Sequence, residues 1–142
     1  MDKIFTSLIL FAITLLFAIT FGLSGIPKLL AGGVPDWFTG KFGNCFLASF
    51  PGLFLSFYII ALAETLNFLG LVISVVRLEF LADRPKIFLK LSLISSAFTF
   101  IMLGFGQRLT HESTGAAYLF FYCGITIFCY FIIDKIEKQN NK

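Results

Sequence analysis

Glu64 stands in the middle of IIALAETLNFLG, residues 59–70, inside a long apolar run. A carboxylate in such company has few uses. It can carry a proton, hold a cation, or bond a polar group on a neighbouring helix. Asn67 follows three residues later and shares its helix face. Lys28, Gln107 and His111 are the other groups with chemistry to offer, each at the end of an apolar run or just beyond it. Together the five fit an outward-facing intramembrane pocket for a small amphipathic molecule. A carboxylate with a histidine near one surface also suits proton transfer, as at a quinol site. Each residue has a plainer use as well. Glu64 and Asn67 can be glue between helices or in a homo-oligomer. Lys28 can snorkel to the headgroups, and His111 can be a solvated loop residue. No nucleophile, base and orienting group form a recognisable catalytic set.

These groups sit in a chain built for lipid. Of 142 residues, 58% are hydrophobic and only 13% charged, with mean hydropathy +0.92. A soluble domain is nearer a quarter charged, so the class is integral membrane protein and the fold class all-α. Four runs, residues 4–26, 53–76, 87–105 and 116–133, each approach the length that a hydrocarbon core requires. They are continuously apolar and do not alternate, which favours a four-helix bundle over a barrel. The first run is too long for an ordinary signal-peptide core. Residues 1–142 therefore read as one transmembrane domain. Glu64 is near the middle of its span, where an ionisable group costs at least about 2.5 kcal/mol. It must face the bundle interior and either stay neutral or find a cation, from Lys28 or another helix.

The boundaries carry their own signals. Ser49 with Pro51 suits the start of the second span, Asp83 with Pro85 that of the third, and Ser113 or Thr114 that of the fourth. Gly32 and Gly33 suit the end of the first helix, with Pro27 expected to kink or stop it. Residues 27–52 form an outer loop with Trp37, Phe38, Phe42, Phe46 and Phe50 among few charges. Such a loop lies in the interface, or dips into the bundle as a short amphipathic helix and lid. Ser92, Ser96 and Thr99 form a stripe suited to packing, and Tyr118 and Tyr122 suit an aromatic belt. Cys45, Cys123 and Cys129 read as small core residues, since 123 and 129 lie on different faces of one helix. One histidine and no Cys/His cluster predict no metal site. The net charge of +3 does not suggest nucleic acid.

Three segments resemble the DoxX-like membrane family. GLSGIPKLL, residues 22–30, is similar to its G-x-x-K signature. ALAETLNFLGLVISVVRLEFL, residues 61–81, resembles its second helix, where an acidic residue precedes a Gly-containing run that ends at arginine. FIMLGFGQRLTHESTGAA, residues 100–117, resembles its third helix and loop histidine. The likeness spans residues 17–133 and falls on Gly25, Lys28, Glu64, Gly70, Arg77 and His111. It implies a four-helix bundle associated with quinone-linked sulfur oxidation and membrane redox or oxidative-stress complexes. An animal branch of similar proteins acts as a chaperone for nicotinic receptor assembly, so the fold alone does not fix the role. The long aromatic loop, residues 29–51, departs from the family and points to a different ligand or partner. No cofactor motif supports an independent oxidoreductase.

The expectation is an inner-membrane accessory subunit. It would bind a quinone or lipid-like molecule and support a partner subunit of a redox complex. An assembly factor and a small proton-coupled transporter are the alternatives. The side shared by the termini and the second loop holds eight lysines and arginines: Lys3, Arg77, Arg84, Lys86, Lys90, Lys135, Lys138 and Lys142. The other side holds three, Lys28, Lys41 and Arg108. This places both termini in the cytoplasm. In a variant lacking the native cysteines, an impermeant thiol reagent added to intact cells should label a cysteine at Gly40 and spare one at Gln139. The reverse pattern would invert the topology.

Overall fold

The computed structural model describes residues 3–140, so Lys142 lies outside the described part of the chain. Among these residues every regular element is helical: α1 (Lys3–Leu30), α2 (Asp36–Phe42), α3 (Phe46–Ser49), α4 (Leu53–Val76), α5 (Ile87–Leu109) and α6 (Ser113–Asn140). Helices α1, α4, α5 and α6 are long and apolar enough to cross a membrane. α4 coincides with its apolar run, while the other three extend beyond theirs. α4 packs between α1 and α5, and α6 packs on α5. Lys3 pairs with Asp83 at 3.0 Å, and Asn140 Nδ2 donates to the Ala82 carbonyl at 2.8 Å. Both described chain ends therefore meet the α4–α5 loop at one end of the bundle.

The spacing of buried residues shows why the helices assemble. On α1 they are Thr6, Leu10, Thr14, Phe17, Phe21 and Gly25, at intervals of three and four. That is one face of a helix. It meets Leu71, Leu89, Leu93, Phe100, Cys123 and Ile133 in a single core. The rest of each long helix is clad in exposed Leu, Ile and Phe, as a lipid-facing surface must be. Lipid is as apolar as leucine, so helices associate through close packing and interhelical hydrogen bonds. Gly25 permits the closest approach. A Cβ there would lie 2.8 Å from the Thr65 amide nitrogen and 2.9 Å from the Glu64 Cβ.

Several boundaries differ from their sequence signals. α1 runs through Pro27 to Leu30. Pro27 removes the N–H that would bond the Leu23 carbonyl, a break that membrane helices tolerate. The chain then turns at Gly32, whose φ is 67°. Ser49 belongs to α3, and α4 starts after Gly52 with no side-chain cap. Asp83 is drawn away by Lys3, and α5 is capped instead by Glu79, whose carboxylate accepts from the Leu89 and Phe88 amides at 2.8 and 3.2 Å. Ser113 is the first residue of α6, and its hydroxyl accepts from Arg108 at 2.8 Å. The ends of α4 and α5 share one closure. Glu79 N–H bonds the Ser74 carbonyl and Leu78 N–H that of Val75, both at 2.9 Å. Glu112 N–H bonds Gln107 and His111 N–H bonds Arg108 in the same pattern. This motif needs a left-handed residue, supplied here by Leu78 (φ 57°) and His111 (φ 61°).

The tight α1–α4 contact yields a direct test. Gly25→Ala should lower thermal stability in detergent by about 1–3 kcal/mol, because neither Thr65 backbone nor the Glu64 stem can yield without moving a helix. An unchanged melting midpoint would mean that the two helices stand further apart.

Candidate functional site

The central feature is an ion pair between α1 and α4. Lys28 Nζ lies 2.6 Å from Glu64 Oε2 and 2.8 Å from Oε1. Ser24 Oγ donates to Oε1 at 2.8 Å and accepts from Lys28 Nζ at 2.9 Å. The three side chains close on one another. Local geometry explains how they meet. Helical side chains tilt toward the N-terminus, so Lys28 reaches back over Ser24, one turn earlier. That reach requires α1 to stay helical past Pro27. Gly25 then brings the α1 backbone down onto Glu64. The carboxylate is 2% exposed and the lysine side chain 20%.

Asn67 shares the Glu64 face but serves the other neighbour. Its Nδ2 donates to Thr99 Oγ1 of α5 at 2.9 Å, and Thr99 donates to the Ser95 carbonyl at 2.9 Å. Asn67 Oδ1 is buried without a partner. Glu64 thus ties α4 to α1, and Asn67 ties α4 to α5.

Above the pair lies a cavity of about 310 Å³. Its roof comes from the 27–52 loop, which folds as the short helices α2 and α3 against α4. Phe38 and Phe42, four apart, turn inward and pack with Phe57 in a second, smaller core. Their rings stand 4.5 Å apart, and Phe38 meets Phe57 edge-on at 5.2 Å. Trp37, Phe38, Phe42 and Phe57 line the cavity with Met102, Leu103 and Phe105. The polar groups in its wall are Lys28, Ser56 and Gln107. Ser56 Oγ is buried with no hydrogen-bond partner. Gln107 Oε1 accepts from Lys41 Nζ at 2.8 Å, a bond that latches α2 to the outer end of α5.

Of the five residues singled out from the sequence, Lys28 and Gln107 share the cavity wall. Glu64 stands directly behind Lys28, and Asn67 lies deeper, at the α4–α5 contact. His111 is exposed on the α5–α6 turn, where its backbone closes the helix, and is not in the cavity wall. Ser56 was not legible as a site residue, because a serine near a span's start carries no pattern.

The opposite end of the bundle holds a second polar cluster. Lys86 is fully buried, and its ammonium donates to the carbonyls of Leu81, Ala82 and Arg84. Burial pushes this ammonium below the ordinary lysine value, with Glu137, Glu79 and Asp83 pulling the other way. Lys90 bridges Glu137 at 2.8 Å and Asp134 at 3.1 Å, fastening α5 to α6. These contacts satisfy one another and form a structural clamp. Among the described residues no group of His, Cys, Asp and Glu is arranged to hold a metal ion, and the three cysteines are free.

A double-mutant cycle tests the ion pair. Lys28→Met or Glu64→Leu alone leaves an unpaired charge in an apolar setting and should cost about 3–5 kcal/mol. The double variant should cost less than either single change. Strictly additive losses, measured by melting in detergent, would show that the two side chains do not interact. Compared with known proteins, the chain matches no family model, no curated protein and no solved structure.

Proposed function

We propose that the chain is a DoxX-like inner-membrane subunit with both termini in the cytoplasm. In this reading it holds a quinone or lipid-like molecule in the outward-facing cavity beneath α2 and α3, and supports the redox work of a partner subunit. The family assignment rests on the three motifs around Lys28, Glu64 and His111. The orientation rests on the charge asymmetry of the loops.

The single observation that carries the ligand reading is the composition of the cavity wall. Its volume, about 310 Å³, lies at the lower end of small-molecule sites, which run from roughly 300 to 1,000 Å³. It suits the head of an amphipathic molecule whose tail leaves sideways into lipid. Five aromatic residues supply flat apolar contact. Ser56 supplies a hydroxyl that has no protein partner. A buried polar group without a partner calls for one, and a ligand oxygen fits. Glu64 and Ser24 take up the Lys28 ammonium, so the polar side of the wall carries no net charge into the membrane. Nothing in the wall breaks a bond, which suits an accessory role.

Mass spectrometry of molecules extracted from protein purified in mild detergent tests this. Wild type should carry a defined quinone or lipid, and Ser56→Leu, which fills the cavity and removes its orphan hydroxyl, should lose it while remaining folded. Only bulk lipid in both samples would remove the ligand and leave Glu64 and Lys28 as helix glue.

A further inference from the structure

A second concavity, at the opposite end of the bundle, belongs to neither the ion pair nor the aromatic cavity. It is a groove of about 650 Å³ between the first turns of α1 and the α4–α5 loop. Ile4, Leu8, Phe11 and Phe80 wall it. Ile4 and Leu8 are 73% and 58% exposed, on the lipid-facing side of α1. Phe11 and Phe80 meet edge-on at 5.1 Å and close its deep end. The rim is polar and already fixed in shape. Ser7 Oγ accepts from the Ala82 amide at 3.0 Å, and the buried Lys86 ammonium holds the carbonyls of Leu81, Ala82 and Arg84.

The rim's charges do not cancel. Lys3 and Asp83 neutralise each other at 3.0 Å. Arg84 is exposed, and its side chain has no hydrogen-bond or ion-pair partner among the described residues. The groove therefore combines an acyl-sized apolar trough with one unspent guanidinium at its polar edge. A guanidinium binds phosphate oxygens through two parallel N–H bonds. The trough opens sideways, where a bilayer lipid would stand. We propose that this groove is a site for an anionic glycerophospholipid, with its phosphate on Arg84 and one acyl chain along Leu8 and Phe11. The rigid rim favours binding, because little need be ordered when the lipid arrives.

Native mass spectrometry with added phosphatidylglycerol or phosphatidylcholine of matched chains tests the site. Wild type should prefer phosphatidylglycerol. Arg84→Gln should weaken that binding about fivefold, the effect of one basic residue near a lipid surface. Leu8→Trp should weaken it comparably by filling the trough with every charge kept. Arg108→Gln, at the other end of the bundle and away from the aromatic cavity, should leave it unchanged. Equal binding of the two lipids, an unaffected Arg84→Gln protein, or full binding in Leu8→Trp would overturn the proposal. The last result would show attraction to diffuse surface charge rather than a built groove.

Discussion

Two opposite charges buried between α1 and α4 set the terms for the rest of the bundle. Removing an ammonium and a carboxylate from water is costly, and their attraction offsets the cost only when geometry is good and the remaining hydrogen-bond positions are filled. Lys28, Glu64 and Ser24 meet both conditions. The requirement fixes the height at which the two helices meet, because a shift of one turn would strand both charges. It also accounts for features that look unrelated in the chain. Gly25 must lack a side chain so that α1 can lie on Glu64. The helix must persist past Pro27 so that Lys28 can reach back toward Ser24.

The two ends of the bundle solve different problems. At the end that carries Arg77 to Lys86, most charged groups other than Arg84 satisfy one another in a dense clamp. Glu79 caps α5, Lys86 gathers loop carbonyls, and Lys90 joins α5 to α6. That end is closed. At the other end few charges are present, and aromatic rings do the covering. Phe38 and Phe42 roof a space that Ser56 and Lys28 make polar on one side. The roof is held by ring packing on Phe57 and by the Lys41–Gln107 bond, not by buried ion pairs. This asymmetry is why the quinone or lipid-like ligand is proposed at the aromatic end.

The architecture was legible because lipid imposes a long-range rule on sequence. A span needs about 20 apolar residues, and nothing local can override that, so the four runs became four long helices. Glu64 and Asn67 were legible as candidates because polar groups inside such runs are expensive, and Lys28 and Gln107 because they stand just past the ends of theirs. What the sequence did not convey was pairing across helices. Asp83 carries a standard capping signal, yet Lys3, eighty positions away in the chain, claims it, and Glu79 caps α5 instead. Asn67 looked like a companion of Glu64, but the helix on its other side offers Thr99. His111 stood out as the only histidine, whereas its structural task belongs to its backbone, in a left-handed conformation that histidine tolerates better than most residues. Each outcome depends on which helices are neighbours, and periodicity along one helix does not contain that.

Whether Lys28 turns inward to Glu64 or outward to the headgroups decides how α1 and α4 are joined. Solid-state NMR of labelled protein in lipid bilayers decides this by measuring the dipolar coupling between Lys28 Nζ and the Glu64 carboxyl carbon, with Glu64→Gln as the assignment control. A strong coupling in the wild type, as expected for nitrogen and oxygen 2.6 Å apart, is the predicted result. No measurable coupling would place the ammonium at the membrane surface and leave Glu64 alone in the bundle, contradicting the central claim.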